Sequence, residues 1–167
     1  MHQGRAGRGP ALTGRGRLAV LLYATAAVAY ALDRVTKWLA EAHLAGRPPI
    51  EVIPGVFQLR YTTNPGGAFG LFGGQVWLFA TMSLVVLVVV VLASRDLPGR
   101  ASAIGLGLVL AGALGNLTDR VIRGPGFSGE VVDFLDFHVW PVFNVADSAI
   151  VVGAATLLLL GVRRTEP

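Results

Sequence analysis

Four long apolar runs, each bounded by polar or basic residues, decide most of what this chain can become. They cover residues 18–32, 76–93, 101–117 and 145–162. The second carries only Thr81 and Ser83 as polar interruptions, and the fourth is closed by Arg163 and Arg164. Inside a bilayer each backbone N–H and C=O must find its partner within the protein, so runs of this length are read as helices that cross it. Composition agrees: 53% of the residues are apolar, 14% are charged and the mean hydropathy is +0.62, values of a membrane protein rather than of a water-soluble core. The 167 residues are one domain's worth of chain.

The first run has a competing explanation. Residues 1–17 are rich in Gly and Arg and read as a disordered basic arm at a membrane surface. Followed by a 15-residue apolar run with small residues at Ala29 and Ala31, this also has the layout of a signal peptide. Three further spans, and Asp33, Arg34, Lys37 and Trp38 continuing at helical spacing, favour a retained first transmembrane helix.

Several function classes are excluded or disfavoured. There is no cysteine, so disulfides, thiolate nucleophiles and cysteine-ligated metals are ruled out. His2, His43 and His138 are too scattered for metal-ligand spacing, and no metal or other cofactor is expected. The net charge of +4 comes from arginines placed where apolar runs end, without aromatic interleaving, which argues against a nucleic-acid partner.

Residues 39–75 form the longest stretch outside the spans. IEVIPGVFQLRYTT (residues 50–63) mixes β-branched and aromatic residues around Pro54-Gly55 and predicts two short strands of a small sheet outside the bilayer. Asn64-Pro65-Gly66-Gly67 makes a turn, and residues 68–72 are either a short helix or an edge at the interface. In the third span Ala103, Gly107, Ala111 and Gly115 recur every four residues, a ladder of small side chains that lets another helix approach closely. The fold class is therefore an all-α polytopic membrane protein with four transmembrane helices and a small extracytoplasmic β-sheet. Its membrane domain covers residues 18–163, with a β-rich insertion at about 39–75, between the basic arm and a short tail at 164–167.

Charge sets the expected orientation. If the two termini and the 94–100 loop share a side, that side holds eight of the 14 Lys/Arg and two of the ten acidic residues. By the positive-inside rule these segments are cytoplasmic. Asp33, Asn116 and Asp147 then all face the outer end. Each lies 16 residues from the basic residue at the other end of its span, Arg17, Arg100 and Arg163. That is roughly 24 Å of helix, against a hydrocarbon core of about 30 Å. Three polar residues on three helices are thus expected at one level, just beneath the outer interface.

VVDFLDFHVWPVFNVADSAI (residues 131–150) adds to that level. It places Asp133, Asp136 and Asp147 in otherwise apolar surroundings, where carboxylates must be paired or share a proton. Trp140 and Pro141 favour a reversal, and Asn144 is a good N-cap. A chain that turns there brings Asp133 and Asp147 together, the raw material of acid–base hydrolysis. A plainer account also holds: Asp147 at the third helical position simply complements the helix dipole. Asn116 and Asn144 are equally readable as helix-end caps, and Arg120 and Arg123 as members of Asp119–Arg120 or Asp133–Arg123 ion pairs. Asp136 and His138 read as structural or interfacial.

The blocks NPGGAFG (64–70), GALGNLTDRV (112–121), VVDFLDF (131–137) and FNVADSAIVVG (143–153), with Asp33 and Lys37 at the end of the first span, resemble the successive motifs of the lipoprotein signal peptidase, or signal peptidase II, family. The resemblance runs over roughly residues 18–163. It implies a bacterial inner-membrane aspartyl endopeptidase with four spans and an extracytoplasmic β-cradle. Such an enzyme removes signal peptides from prolipoproteins by cutting before the diacylglyceryl-modified cysteine. It implies Asp133 and Asp147 as the catalytic pair, Asn64, Asn116, Arg120 and Asn144 as polar residues around it, and Asp33, Lys37 and Asp119 as support. The implied partners are diacylglyceryl-modified prolipoproteins and membrane lipid; a monomer is expected, although the sequence does not fix the oligomeric state. Pro65, Gly67 and the GPGFSG segment (124–129) depart from the usual pattern in the loops near the site.

An alternative class is a small ion-coupled transporter or channel, since intramembrane carboxylates also mark ion paths. It predicts ionisable residues at mid-depth and an internal repeat, neither of which the sequence displays. A scaffold subunit accounts for the glycine ladder and leaves the buried carboxylates unexplained.

Overall fold

The computed structural model describes residues 14–65 and 76–165. In chain order the elements are α1 (Gly14–Leu44), β1 (Ile50–Ile53), β2 (Phe57–Asn64), α2 (Val76–Ala93), α3 (Arg100–Ile122), β3 (Val131–Asp136) and α4 (Val145–Thr165). A short 3₁₀ turn, Pro125–Phe127, precedes β3. Three helices, α1, α3 and α4, are long and apolar enough to cross a membrane; α2 is apolar but for Thr81 and Ser83, and its apolar stretch, Trp77–Ala93, is shorter.

α1 is longer at both ends than its apolar run. It begins at Gly14, which takes Arg15 and Arg17 into the helix, and continues to Leu44. Its 31 residues are about 46 Å of helix, more than a bilayer core needs. The surplus is used at the outer end, where Asp33, Lys37, Ala40 and Leu44 are buried at spacings of four, three and four. The lower pair meets the other helices, and Ala40 and Leu44 pack with Phe134 under the sheet.

α3 is the central helix and contacts all three others. The small-residue ladder works as expected. Ala103 and Ala111 join Leu22 and Ala26 of α1 in the core, and a Cβ on Gly107 would come within 2.6 Å of the Leu22 carbonyl oxygen. A second small-residue face escaped the period-four reading. Gly105 and Gly112 turn towards α4, where a Cβ on Gly112 would strike the Ala146 carbonyl, and Gly153 answers from the α4 side. Two close helix contacts on one helix are what small residues allow where no hydrophobic force draws helices together.

The sheet differs from expectation. It has three antiparallel strands, β1-β2-β3, not two, and its third strand lies outside the 39–75 insertion. β3 pairs with β2 through Thr62↔Asp133, Thr63↔Val132 and Asn64↔Val131. The predicted Pro54-Gly55 turn closes the β1–β2 hairpin, with Gly55 at φ 71° and the Val56 amide donating to Ile53. β3 is buried on both faces, so it lacks the alternation that flags a half-exposed strand. The segment 68–72 and Gly67 lie outside the described residues.

Candidate active site

The reversal expected near Pro141 exists and is tied back to β3. The amides of Phe134 and Leu135 donate to the Phe143 carbonyl at 3.0 and 2.9 Å, and the Phe143 amide donates to Leu135 at 3.0 Å. His138, at φ 60°, turns the chain. One residue after this clamp the chain enters α4, with Asn144 as its N-cap. The Asn144 side-chain oxygen accepts the Asp147 amide at 2.9 Å, and the Asp147 carboxylate accepts the Asn144 amide at 3.2 Å. This reciprocal arrangement satisfies two backbone donors that a helix start leaves open.

The amide nitrogen of Asn144 then reaches the other way, donating to Asp133 Oδ1 at 2.6 Å, to Asn116 Oδ1 at 3.2 Å and to the Val132 carbonyl at 3.2 Å. Asn144 is fully buried and links the two aspartates. Asp133 receives a second hydrogen bond, 3.1 Å from Asn64 at the end of β2. Asp147 receives one from Asn116 at 2.7 Å. Asp133, Asp147, Asn64, Asn116 and Arg120 all line one cavity of about 360 Å³, whose remaining wall includes Phe79, Met82, Val86, Val109, Ala113 and Ile150. Burial, and then the neighbouring charge of Asp147, push the Asp133 carboxyl up to about 7 against the hydrogen bonds of Asn64 and Asn144.

Behind this polar wall lies a buried ionic cluster. Lys37, with no exposed surface, forms ion pairs with Asp33 at 3.0 Å and Asp119 at 2.9 Å and donates a hydrogen bond to Asn116 Oδ1 at 3.0 Å. Asp33 crosses over Gly115 and accepts the Ala146 amide in the first turn of α4 at 2.9 Å. Asp119 pairs with Arg34 and accepts the Val132 amide at 3.3 Å, so it anchors β3 as well. Helix α1 therefore holds the start of α4 and, through Asp119, the strand bearing Asp133.

Of the residues singled out from sequence, Asn64, Asn116, Arg120, Asp133 and Asp147 line the cavity, Asn144 and Lys37 stand one hydrogen bond behind it, and Asp33 and Asp119 lie behind Lys37. Two plainer explanations are corrected. Asn116 sits in the interior of α3 and caps no helix end. The ion pairs Asp119–Arg120 and Asp133–Arg123 do not form: Arg123 pairs with Glu41 at 2.6 Å and approaches Asp119 at 3.6 Å. Arg120 makes no ion pair among the described residues; it donates to the Gly129 carbonyl at 3.3 Å, and its guanidinium lies 5.6 Å from the Phe79 ring centre. Asp136 turns to Arg60 at 3.0 Å, Gln58 at 2.7 Å and the His138 amide at 2.9 Å. Burial works to raise its pKa, and these partners hold it below the usual carboxylate range. Arg34 and Arg60 were missed as participants, because only the fold shows which carboxylate each one meets. Among the described residues no group of three or more His, Asp or Glu is arranged to hold a metal ion.

The chain has close relatives. Residues 25–163 match the family model described as signal peptidase (SPase) II. A lipoprotein signal peptidase of Rhodococcus jostii is 46% identical over 149 residues, covering 89% of this chain and 75% of its own length. Those of Streptomyces griseus and Desulfitobacterium hafniense are 44% and 42% identical, covering 92% and 84% of this chain and 80% and 92% of theirs. A bacterial membrane enzyme solved by the in meso method superposes with a TM-score of 0.74 at 28% identity, covering 89% of each chain. With the family model matching most of its length, this chain belongs to the signal peptidase II family.

Proposed function

We propose that this protein is a membrane aspartic endopeptidase that removes signal peptides from diacylglyceryl-modified prolipoproteins, with Asp133 and Asp147 as its catalytic pair. Family membership supports the protease activity and the prolipoprotein substrate. The observation that carries the mechanism is the meeting of Asp133 and Asp147 in one cavity, joined through Asn144.

Two carboxylates so placed do not both ionise cheaply, so they hold one proton between them. Asp133, pushed up to about 7, carries it. Asp147, held by the Asn116 amide group and the Asn144 amide, acts as the base. It takes a proton from water as the water oxygen attacks the scissile carbonyl; Asp133 donates a hydrogen bond to that carbonyl oxygen. Collapse of the tetrahedral intermediate breaks the C–N bond, and a proton from the pair goes to the leaving amine. Arg120 and Asn64, at the cavity wall, supply donors to the developing negative charge or to the peptide backbone.

The protein works in the bacterial cytoplasmic (inner) membrane as a monomer with four spans, α2 being the fourth, and both termini in the cytoplasm. This places the cavity near the outer face. A site there suits a peptide whose acyl chains remain in the lipid, where each buried methylene contributes roughly 0.8 kcal/mol to anchoring. The ion-coupled transporter reading is not favoured, since the buried charges cluster at one end of α1 and α3 and belong to a signal peptidase match. The test is incubation of the purified protein with a prolipoprotein peptide in lipidated and unlipidated forms. Cleavage before the cysteine of the lipidated form, with little or none of the other, is expected. Equal rates would remove the lipoprotein preference, and no cleavage of either would remove the peptidase.

A further inference from the structure

One face of α3 continues beyond the cavity that holds the aspartates. Ser102, Leu106, Val109, Ala113, Asn116 and Arg120 recur at steps of three and four and so share a side of the helix. Each of them borders one of two cavities that α4 and either α2 or the loop after it also wall, the outer one being closed further by β2, β3 and residues 140–143. Among the described residues no Cα of α2 lies within 8 Å of one in α4. The side of α3 between those helices is therefore a groove. Its outer end is the site described above. Its inner end is a second cavity of about 230 Å³, walled by Ala93, Leu106, Leu157 and Leu160, with Asp96 as its one charged lining residue. Leu106 of the inner cavity and Val109 of the outer one are a single helical turn apart.

We propose that this groove docks the apolar segment of the signal peptide as a helix laid along α3, its basic leading end at the inner cavity and its scissile bond at the aspartates. The proposal rests on the peptidase reading and adds a second recognition site at the opposite end of the molecule. Length supports it. Ser102 and Asn116 are 14 residues apart on α3, ~21 Å of helix, and the apolar core of a signal peptide, about 7–15 residues, spans up to roughly that distance. Charge supports it too. Asp96 meets Arg15 at 3.6 Å, but the two side chains are 90% and 82% exposed, and such surface pairs contribute little. A cation at the leading end of a signal peptide exchanges for Arg15 at small cost. Arg95, in the same loop, and Arg100, at the start of α3, do not line the cavity. A groove kept only for lipid acyl chains has no use for that carboxylate.

Gly161 makes the idea testable, because it lines the inner cavity and a Cβ built on it meets nothing within 4 Å. Gly161→Leu therefore sends a side chain into the groove from a position where its first carbon is unobstructed. The experiment measures kcat and KM for two diacylglyceryl-modified peptides, one with a complete signal peptide and one truncated to the few residues before the cysteine. Gly161→Leu is expected to raise KM for the complete substrate roughly tenfold, the scale set by losing one well-placed apolar contact, and Asp96→Lys to raise it about two- to fivefold, the scale of an exposed ion pair. Neither changes kcat, nor KM for the truncated substrate. Replacing the substrate's leading lysines by glutamate restores KM with Asp96→Lys. Val28→Trp, at a position on α1 that is itself 63% exposed, leaves both substrates unaffected. An unchanged KM for the complete substrate, or an equal rise for both, overturns the docking groove and leaves the peptidase standing. Failure of the unmodified protein to cleave either substrate overturns the peptidase reading and the groove with it.

Discussion

Asn144 and Asp147 cap one another across the first turn of α4, each accepting the other's backbone amide, at 2.9 and 3.2 Å. The helix-capping and catalytic explanations of Asp147 are therefore two descriptions of one rigid mounting. The cap fixes one carboxylate oxygen, while Asn116 holds the other at 2.7 Å.

Substitution by asparagine separates the two roles. Asp147→Asn keeps the shape and loses the charge at the helix start, worth ~0.3–1 kcal/mol of stability. Asp133→Asn removes a buried carboxyl and leaves folding intact or improved. Either change is expected to lower turnover by on the order of 10²–10⁴-fold, and the double variant to be little worse than either single one. Asp136→Asn, which loosens its contacts to Arg60 and Gln58, keeps most activity. Cleavage rate and thermal unfolding in detergent check all four variants; a stable, active Asp147→Asn protein would refute the catalytic pair.

The raised pKa of Asp133 has a pH signature. Folded, the group holds its proton up to about 7, whereas the unfolded chain releases it near the ordinary aspartate value of 3.8. Its contribution to stability is complete below about 4 and is lost as the pH climbs through about 7. The melting temperature of Asp133→Asn relative to the unsubstituted protein should therefore rise from pH 4 to 7 and level off above. Turnover should decline above about 7, where the shared proton is lost. A difference in melting temperature that does not vary with pH would contradict this.

Lys37 is the buried cation on which two carboxylates and Asn116 depend. Lys37→Met leaves Asp33 and Asp119 without it inside the protein, and breaking a buried pair in this way costs about 3–5 kcal/mol. Loss of fold in the detergent-solubilised variant, with partial recovery when Asp33→Asn is added, is the expected result.

Gly115→Ala probes the same shell from the other side. Its methyl group would strike Asp33 Oδ2 and draw that carboxylate away from the Ala146 amide it caps. Overpacking of this kind costs roughly 1–3 kcal/mol. Turnover should fall as well, because Asn144 and Asp147 stand on that turn. Full activity in Gly115→Ala would show that Asp33 does not position α4.

Orientation is open to labelling, since the chain has no cysteine of its own. Single cysteines at Ser94 and Thr165 should react only from the cytoplasmic side, and those at Gln58 and Ser128 only from outside. Reaction of the Ser128 position from the cytoplasm would reverse the orientation and the direction from which the site is reached.

Much of this protein was determined locally, and sequence displayed it. Apolar runs without water to satisfy their backbones form helices, so α1, α3 and α4 could be placed by length alone. The cap at Asn144 and the turn at Pro54-Gly55 follow from side chains that act within a few residues. The motif blocks brought the site residues into view, and equal distances along three helices set Asp33, Asn116 and Asp147 at one level. What only tertiary structure decided were the pairings between distant segments. β3 carries no alternation because both its faces are covered, so its place beside β2 depended on contacts some 70 residues apart in the chain. Asp119 meets Lys37 and Arg34 rather than its neighbour Arg120 because adjacent residues on a helix point different ways. Arg120 is thereby left to line the cavity with the aspartates. The groove along α3 likewise exists only because α2 and α4 pack on α3 without closing on each other.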